Sequence, residues 1–193
     1  MGIVHGNPAR RVFGALLMVA AGAGCSTSHA PGAKPGPVET PARQPAPWSG
    51  EPLAAGEAPA AYSSAWAAAA NRATCALVAV ADPDVTQNAS ARPATFSGGW
   101  GVAFDKPELR SAFGVAGTGV EASDATYSDW PHHIEWSDGS SAGYGPEGGT
   151  GPNHLAYLRI TGQGCLYNVW SRLGRAHLEE MLGALRFVEM AGN

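Results

Sequence analysis

An α+β fold, an antiparallel β-sheet built from hairpins with an amphipathic C-terminal helix packed on it, is predicted by three features of this sequence. Two stretches combine apolar segments with turn dipeptides: Asp138-Gly139 after Ile134-Glu135-Trp136-Ser137, and Gly162-Gln163 between Asn153–Thr161 and Gly164–Ser171. After Gly174, Leu178, Met181, Leu182 and Leu185 recur at helical spacing. Composition excludes the all-helical alternatives, because 26 glycines and 15 prolines in 193 residues are incompatible with a long coiled coil or a large bundle. The 45% hydrophobic content overstates the core, since 36 of those residues are alanine.

The elements follow in order. Tyr62 to Ala73 is alanine-rich and reads as a short helix capped by Ser63 or Ser64. Thr74 to Ala81 reads as a buried strand carrying Cys75, closed by the Asp82-Pro83-Asp84 turn. Strict alternation from Ala94 to Asp105 predicts one strand with Phe96, Trp100, Val102 and Phe104 on one face and a bulge at Gly98-Gly99. Pro107 to Phe113 suits one helical turn before a strand at Val115–Glu121. The first hairpin, with a type I′ turn, sets Ile134 opposite Gly143 and Trp136 opposite Ser141. The second, with a type II′ turn, sets Ile160, Leu158 and Ala156 opposite Cys165, Tyr167 and Val169, so one apolar face buries the cysteine. Pro146 to Pro152 is an irregular glycine-rich loop, and Phe187-Val188 begins a last strand.

Upstream of this domain the chemistry changes. A basic pair, Arg10-Arg11, precedes an apolar run from Val12 to Ala21 and the small residues Gly22, Ala23 and Gly24 before Cys25. This is the layout of an export signal, and the run is far shorter than the ~20 residues a spanning helix needs. At Gly22-Ala23-Gly24-Cys25 the chain resembles the lipobox of bacterial membrane lipoproteins, with Gly22 where that family usually has Leu. The resemblance implies that residues 1–24 are a signal peptide and that Cys25 becomes the lipid-bearing N-terminus. Ser26, rather than Asp, then implies an outer-membrane destination in a two-membrane bacterium. Cleavage after Ala21-Gly22-Ala23 is the competing reading. Arg10-Arg11-Val12-Phe13 also resembles the twin-arginine signal; a plain basic n-region is the alternative.

Cysteine parity fits lipidation. Three cysteines in an exported chain leave one over, and an acylated Cys25 leaves Cys75 and Cys165 to form a disulfide in an oxidising compartment. Residues 25–60 hold eight prolines after Ser26 and only Val38, Trp48 and Leu53 as larger apolar side chains, so this stretch is expected to be a disordered linker. Residues 61–193 form the single α+β domain.

Charge excludes a nucleic-acid partner: 12 Lys and Arg face 16 Asp and Glu, and the signal carries away two of the arginines. There is no GxSxG, no Walker A loop, no HExxH and no zinc spacing of cysteines, and no cofactor is expected. His133 and Glu135 share a strand face and, with His154, are the weak candidates for a metal; His132 points the other way. The ligand-binding expectation rests on Trp130, Tyr144 and His133 near the first hairpin and the following glycine-rich loop. Tyr127, Trp136 and Trp170 could also line a groove or build the core. The expected function is a non-catalytic, membrane-anchored envelope lipoprotein that binds a protein, glycan or small ligand. The alternative is a metal-dependent or other hydrolase of envelope material.

Overall fold

The computed structural model describes residues 42–96, 98–119, 129–149 and 151–190. Cys25, the signal layout and Tyr127 lie outside them. The fold is α+β. Seven strands form an antiparallel sheet in the order β3-β4-β5-β9-β8-β7-β6: β3 (Ser90–Pro93), β4 (Trp100–Lys106), β5 (Leu109–Gly117), β6 (His132–Glu135), β7 (Ser141–Pro146), β8 (His154–Arg159) and β9 (Tyr167–Ser171). A smaller sheet joins β1 (Leu53–Ala54), β10 (Leu185–Glu189) and β2 (Val78–Val80), with β1 parallel and β2 antiparallel to β10. The helices are α1 (Ala60–Ala67), α2 (Pro83–Thr86) and α3 (Arg175–Gly183).

One face of the large sheet carries the core. Phe104, Phe113, Val115, Val169, Leu158 and Tyr167 project from it and are buried together with Leu178, Met181 and Leu182 of α3. The helical spacing read from the sequence is thus the stripe that packs. Cys75 and Cys165 form a disulfide that ties the approach to β2 to the approach to β9. Around it, the Gly164 N–H donates to the Thr74 carbonyl (2.7 Å) and the Tyr167 hydroxyl to the Ala76 carbonyl (3.0 Å). Burial pushes the Tyr167 hydroxyl's pKa up. On the opposite, outer face aromatic rings lie over glycines. A Cβ on Gly114 would sit 2.2 Å from the Trp170 ring and one on Gly101 2.5 Å from Phe96.

Several local expectations are corrected. The alternating stretch is not one strand: the chain reverses near Gly98 (φ 72°), and β3 returns along β4 with Ala91 opposite Phe104. Residues 107–113 are not helical, because Pro107-Glu108 turns β4 tightly into β5, with Glu108 at φ 61°. Helix α1 begins after Pro59 with no side-chain cap, and Ser63 instead donates to the Ala60 carbonyl within the helix. The first hairpin pairs Ile134 with Ala142 and Glu135 with Ser141, one residue away from the expected register. Only Gly139 of the turn pair takes a positive φ (84°), while the Asp138 carboxylate accepts from the Ser140 N–H, which stabilises a three-residue loop instead of a type I′ turn. The second hairpin has the expected register, Leu158 opposite Tyr167 and Ala156 opposite Val169. Its turn sits one residue earlier, however, with the Gln163 N–H donating to the Ile160 carbonyl.

The expected linker boundary at residue 60 is also corrected, since the chain is docked well before it. Trp48, 4% exposed, packs edge to face on Trp136, and Ala46 and Ala58 are buried with it. The Ser137 N–H donates to the Gln44 carbonyl (2.9 Å), Arg43 pairs with Glu135, and Leu53-Ala54 adds a strand to β10. One large aromatic ring with a hydrogen-bond partner offsets the entropy of ordering a short proline-rich strap, whose backbone is already restricted. We call residues 42–49 the strap.

Candidate functional site

The strap, the first hairpin and α3 enclose a crevice of about 410 Å3. Gln44, Pro45 and Pro47 of the strap form one wall, Ile134, Trp136 and Tyr144 of the large sheet a second, and Glu179, Leu182 and Gly183 of α3 the third. The sheet wall exists because β7 alternates: Ala142 and Tyr144 face the core side, while Gly143 and Gly145 face outward. Opposite Tyr144 stands Ala156, which leaves room for the ring to reach α3.

There the Tyr144 hydroxyl donates to Glu179 Oε1 at 2.8 Å. Burial, that hydrogen bond and the charge of Glu179 push the tyrosine up to about 12, so it stays a protonated donor throughout the physiological range. The Arg175 guanidinium lies 3.6 Å from the same carboxylate and 3.4 Å from His132 Nε2. His132 in turn packs on Tyr144 with ring centroids 5.2 Å apart. A cavity of mixed polar and apolar lining with one hydrogen-bonded carboxylate at its wall is suited to holding a ligand in a fixed orientation.

No family model, curated protein or solved structure matches this chain.

The three residues expected to bind ligand do not share a surface. Tyr144 lines the crevice, whereas His133 is exposed on the outer face and Trp130 lies there against Tyr157, with centroids 5.5 Å apart. The metal expectation is corrected by the same register. His133 aligns with Gly143 and Tyr157, so odd-numbered residues of β8 share its face and His154 projects from the other. Glu135 is engaged by Arg43. No group of three metal-ligating side chains occurs among the described residues.

One pairing had no local signature. Ser171 Oγ lies 3.1 Å from His177 Nδ1, and His177 Nε2 lies 3.1 Å from the Val85 carbonyl. A carbonyl only accepts, so Nε2 carries the proton and Ser171 donates to Nδ1. This is the polarity of an activated serine. Ser171 is nevertheless fully buried, and its oxygen accepts from the Leu173 N–H (3.0 Å), so substrate has no route to it. The pair instead fixes the start of α3 to β9 and α2. The strap, Glu179 and Gly183 were likewise missed by sequence reasoning; the isolated Trp48 was the one available signal.

Proposed function

We propose that this protein is a non-catalytic cell-envelope lipoprotein, held to a membrane through a lipid on Cys25, whose domain binds a protein, glycan or small ligand of the envelope. The observation that carries the reading is the crevice, whose volume of about 410 Å3 falls in the range of ligand pockets and whose Tyr144–Glu179 bond presets its polar wall. The signal layout and the disulfide between Cys75 and Cys165 support the compartment. The hydrolase alternative draws no support from the described residues, because His133 and His154 lie on opposite faces and Ser171 is sealed.

The test is a titration of isotope-labelled protein with solubilised envelope material. The reading expects amide shifts at Ile134, Tyr144, Leu182 and Gly183 that weaken in Tyr144→Phe and Glu179→Gln. Shifts confined to Trp130 and His133 would move the site to the outer face. Turnover of an envelope substrate would restore the hydrolase.

A further inference from the structure

The chain as a whole is acidic, with 16 Asp and Glu against 12 Lys and Arg, yet one end of the large sheet is basic. Strand β4 ends at Lys106 and β5 begins at Leu109, and the turn between them borders a cavity of about 440 Å3 lined by Arg92, Asp105, Lys106, Glu108, Leu109 and Arg110. The end of β9 lies beside it, because Phe113 stands opposite Ser171. There the Arg172 N–H donates to the Ala112 carbonyl, and its guanidinium to the Arg110 carbonyl at 3.0 Å. Arg92 neutralises Asp105 at 2.8 Å, and both hold Ser111, which fixes the turn. Lys106, Arg110 and Arg172, by contrast, form no ion pair among the described residues, and the free carboxylate lining the cavity is Glu108. Glu147 shares this end of the sheet but follows β7, three strand spacings or about 14 Å from β5. Directly after Arg172 comes Leu173, 38% exposed and the one exposed large apolar side chain among the described residues. Its N–H donates to Ser171 Oγ at 3.0 Å, which holds it in place before Gly174 (φ 99°) leads into α3. A lone exposed leucine is ordinary; this one stands among unpaired cations.

We propose that this end of the domain rests on an anionic lipid surface, with Lys106, Arg110 and Arg172 at the headgroups and Leu173 entering the boundary beneath them. Charge complementarity selects an anionic partner, and the leucine selects a lipid surface over a soluble polyanion, which has no apolar layer to receive it. The contact would also orient the crevice. Glu135 and Ser141 align with Arg159, beyond the row of Leu158, Tyr167, Gly117 and Trp100, so the hairpin tip and its strap contact at Ser137 lie at the opposite end of the strands and would face away from the membrane. The proposal requires neither acylation of Cys25 nor a ligand in the crevice, so it stands or falls apart from both.

The experiment sediments the full mature chain, made with Cys25→Ser so that no acyl chain contributes, with vesicles of phosphatidylcholine alone or of equal parts phosphatidylcholine and phosphatidylglycerol. Each cation at an anionic surface contributes roughly fivefold, so three cations set against Glu108 should give about a thirtyfold preference for the anionic vesicles, which raised salt should remove. Lys106→Gln combined with Arg110→Gln should bring the two vesicles to about equal affinity. Leu173→Ser should weaken binding to the anionic vesicles about fivefold, the share of one partly buried leucine. Arg72→Gln combined with Arg186→Gln removes the same charge elsewhere, from the Trp66 ring and the Leu185 carbonyl, and should change little. Unchanged urea unfolding curves show that each variant is folded. Absent binding, equal affinity of the parent chain for both vesicles, indifference to the Lys106 and Arg110 changes or to Leu173→Ser, or an equal loss in the Arg72 and Arg186 variant overturns the proposal. Binding to soluble polyphosphate without binding to the vesicles assigns this end to an anionic polymer and overturns it too.

Discussion

Trp48 and Trp136 meet edge to face, ring centroids 4.9 Å apart, and the Trp48 indole N–H donates to Asp138 Oδ2 at 2.9 Å. A residue from the proline-rich segment thus completes the core of the first hairpin and holds the strap wall of the crevice in place. Trp48→Ala should cost about 3–5 kcal/mol as a large core truncation, whereas Trp48→Phe, which loses mainly the hydrogen bond, should cost about 1 kcal/mol. Urea unfolding followed by circular dichroism distinguishes the two. Near-equal midpoints for wild type and Trp48→Ala would show that the strap contributes nothing to stability.

The same contact should be sensitive to acid. Burial alone would raise the Asp138 carboxyl, but hydrogen bonds from the Ser140 N–H, the Trp48 indole and the Ser140 hydroxyl outweigh it and hold the group below the usual carboxylate range. A folded value below the unfolded one gives stability that is complete above the unfolded value, about 3.9, and is lost as pH falls through the folded value. Trp48 emission should therefore report strap release below about pH 4, with Asp138→Asn removing this carboxyl's share of the transition. A Trp48 signal that is pH-independent down to global unfolding would contradict it.

The Cys75–Cys165 bond links residues 90 positions apart. The chain-entropy model assigns roughly 4–5 kcal/mol to a loop of that size, an upper figure because unfolded chains keep some structure. Reduction, or Cys75→Ala with Cys165→Ala, should lower the urea midpoint by a corresponding amount. Recovery of both thiols free from protein isolated from its native host without reductant would show that the bond does not form there.

Lipidation at Cys25 is tested by intact mass. The mature protein should begin at Cys25 and carry at least two acyl chains, because one chain alone binds membranes only marginally. A soluble product beginning at Gly24 would place the cleavage elsewhere and remove the anchor.

How much of this was legible in sequence depends on the range of the interaction. The α3 stripe and the second hairpin's register are local patterns, so Leu178, Met181 and Leu182 and the Leu158–Tyr167 pairing could be read directly. The break between β3 and β4 was hidden, because an alternating pattern looks the same whether the chain continues or turns back at Gly98. The strap was hidden for a different reason. Composition describes average chain entropy, and a single buried ring such as Trp48 outweighs it only when its partners, Trp136 and Asp138, lie some 90 residues away. The metal candidates failed through face parity across three strands, which no local spacing encodes.

Ligand is proposed to enter the crevice between strap, hairpin and α3. A photo-crosslinking side chain placed at exposed Gln44 on the rim, and separately at exposed Arg110, which does not line it, tests this in the intact envelope. A discrete adduct should form from Gln44 that does not form from Arg110, and the Gln44 adduct should be lost in Gly183→Phe. The same adduct from both positions, or a Gln44 adduct unchanged by Gly183→Phe, would contradict it.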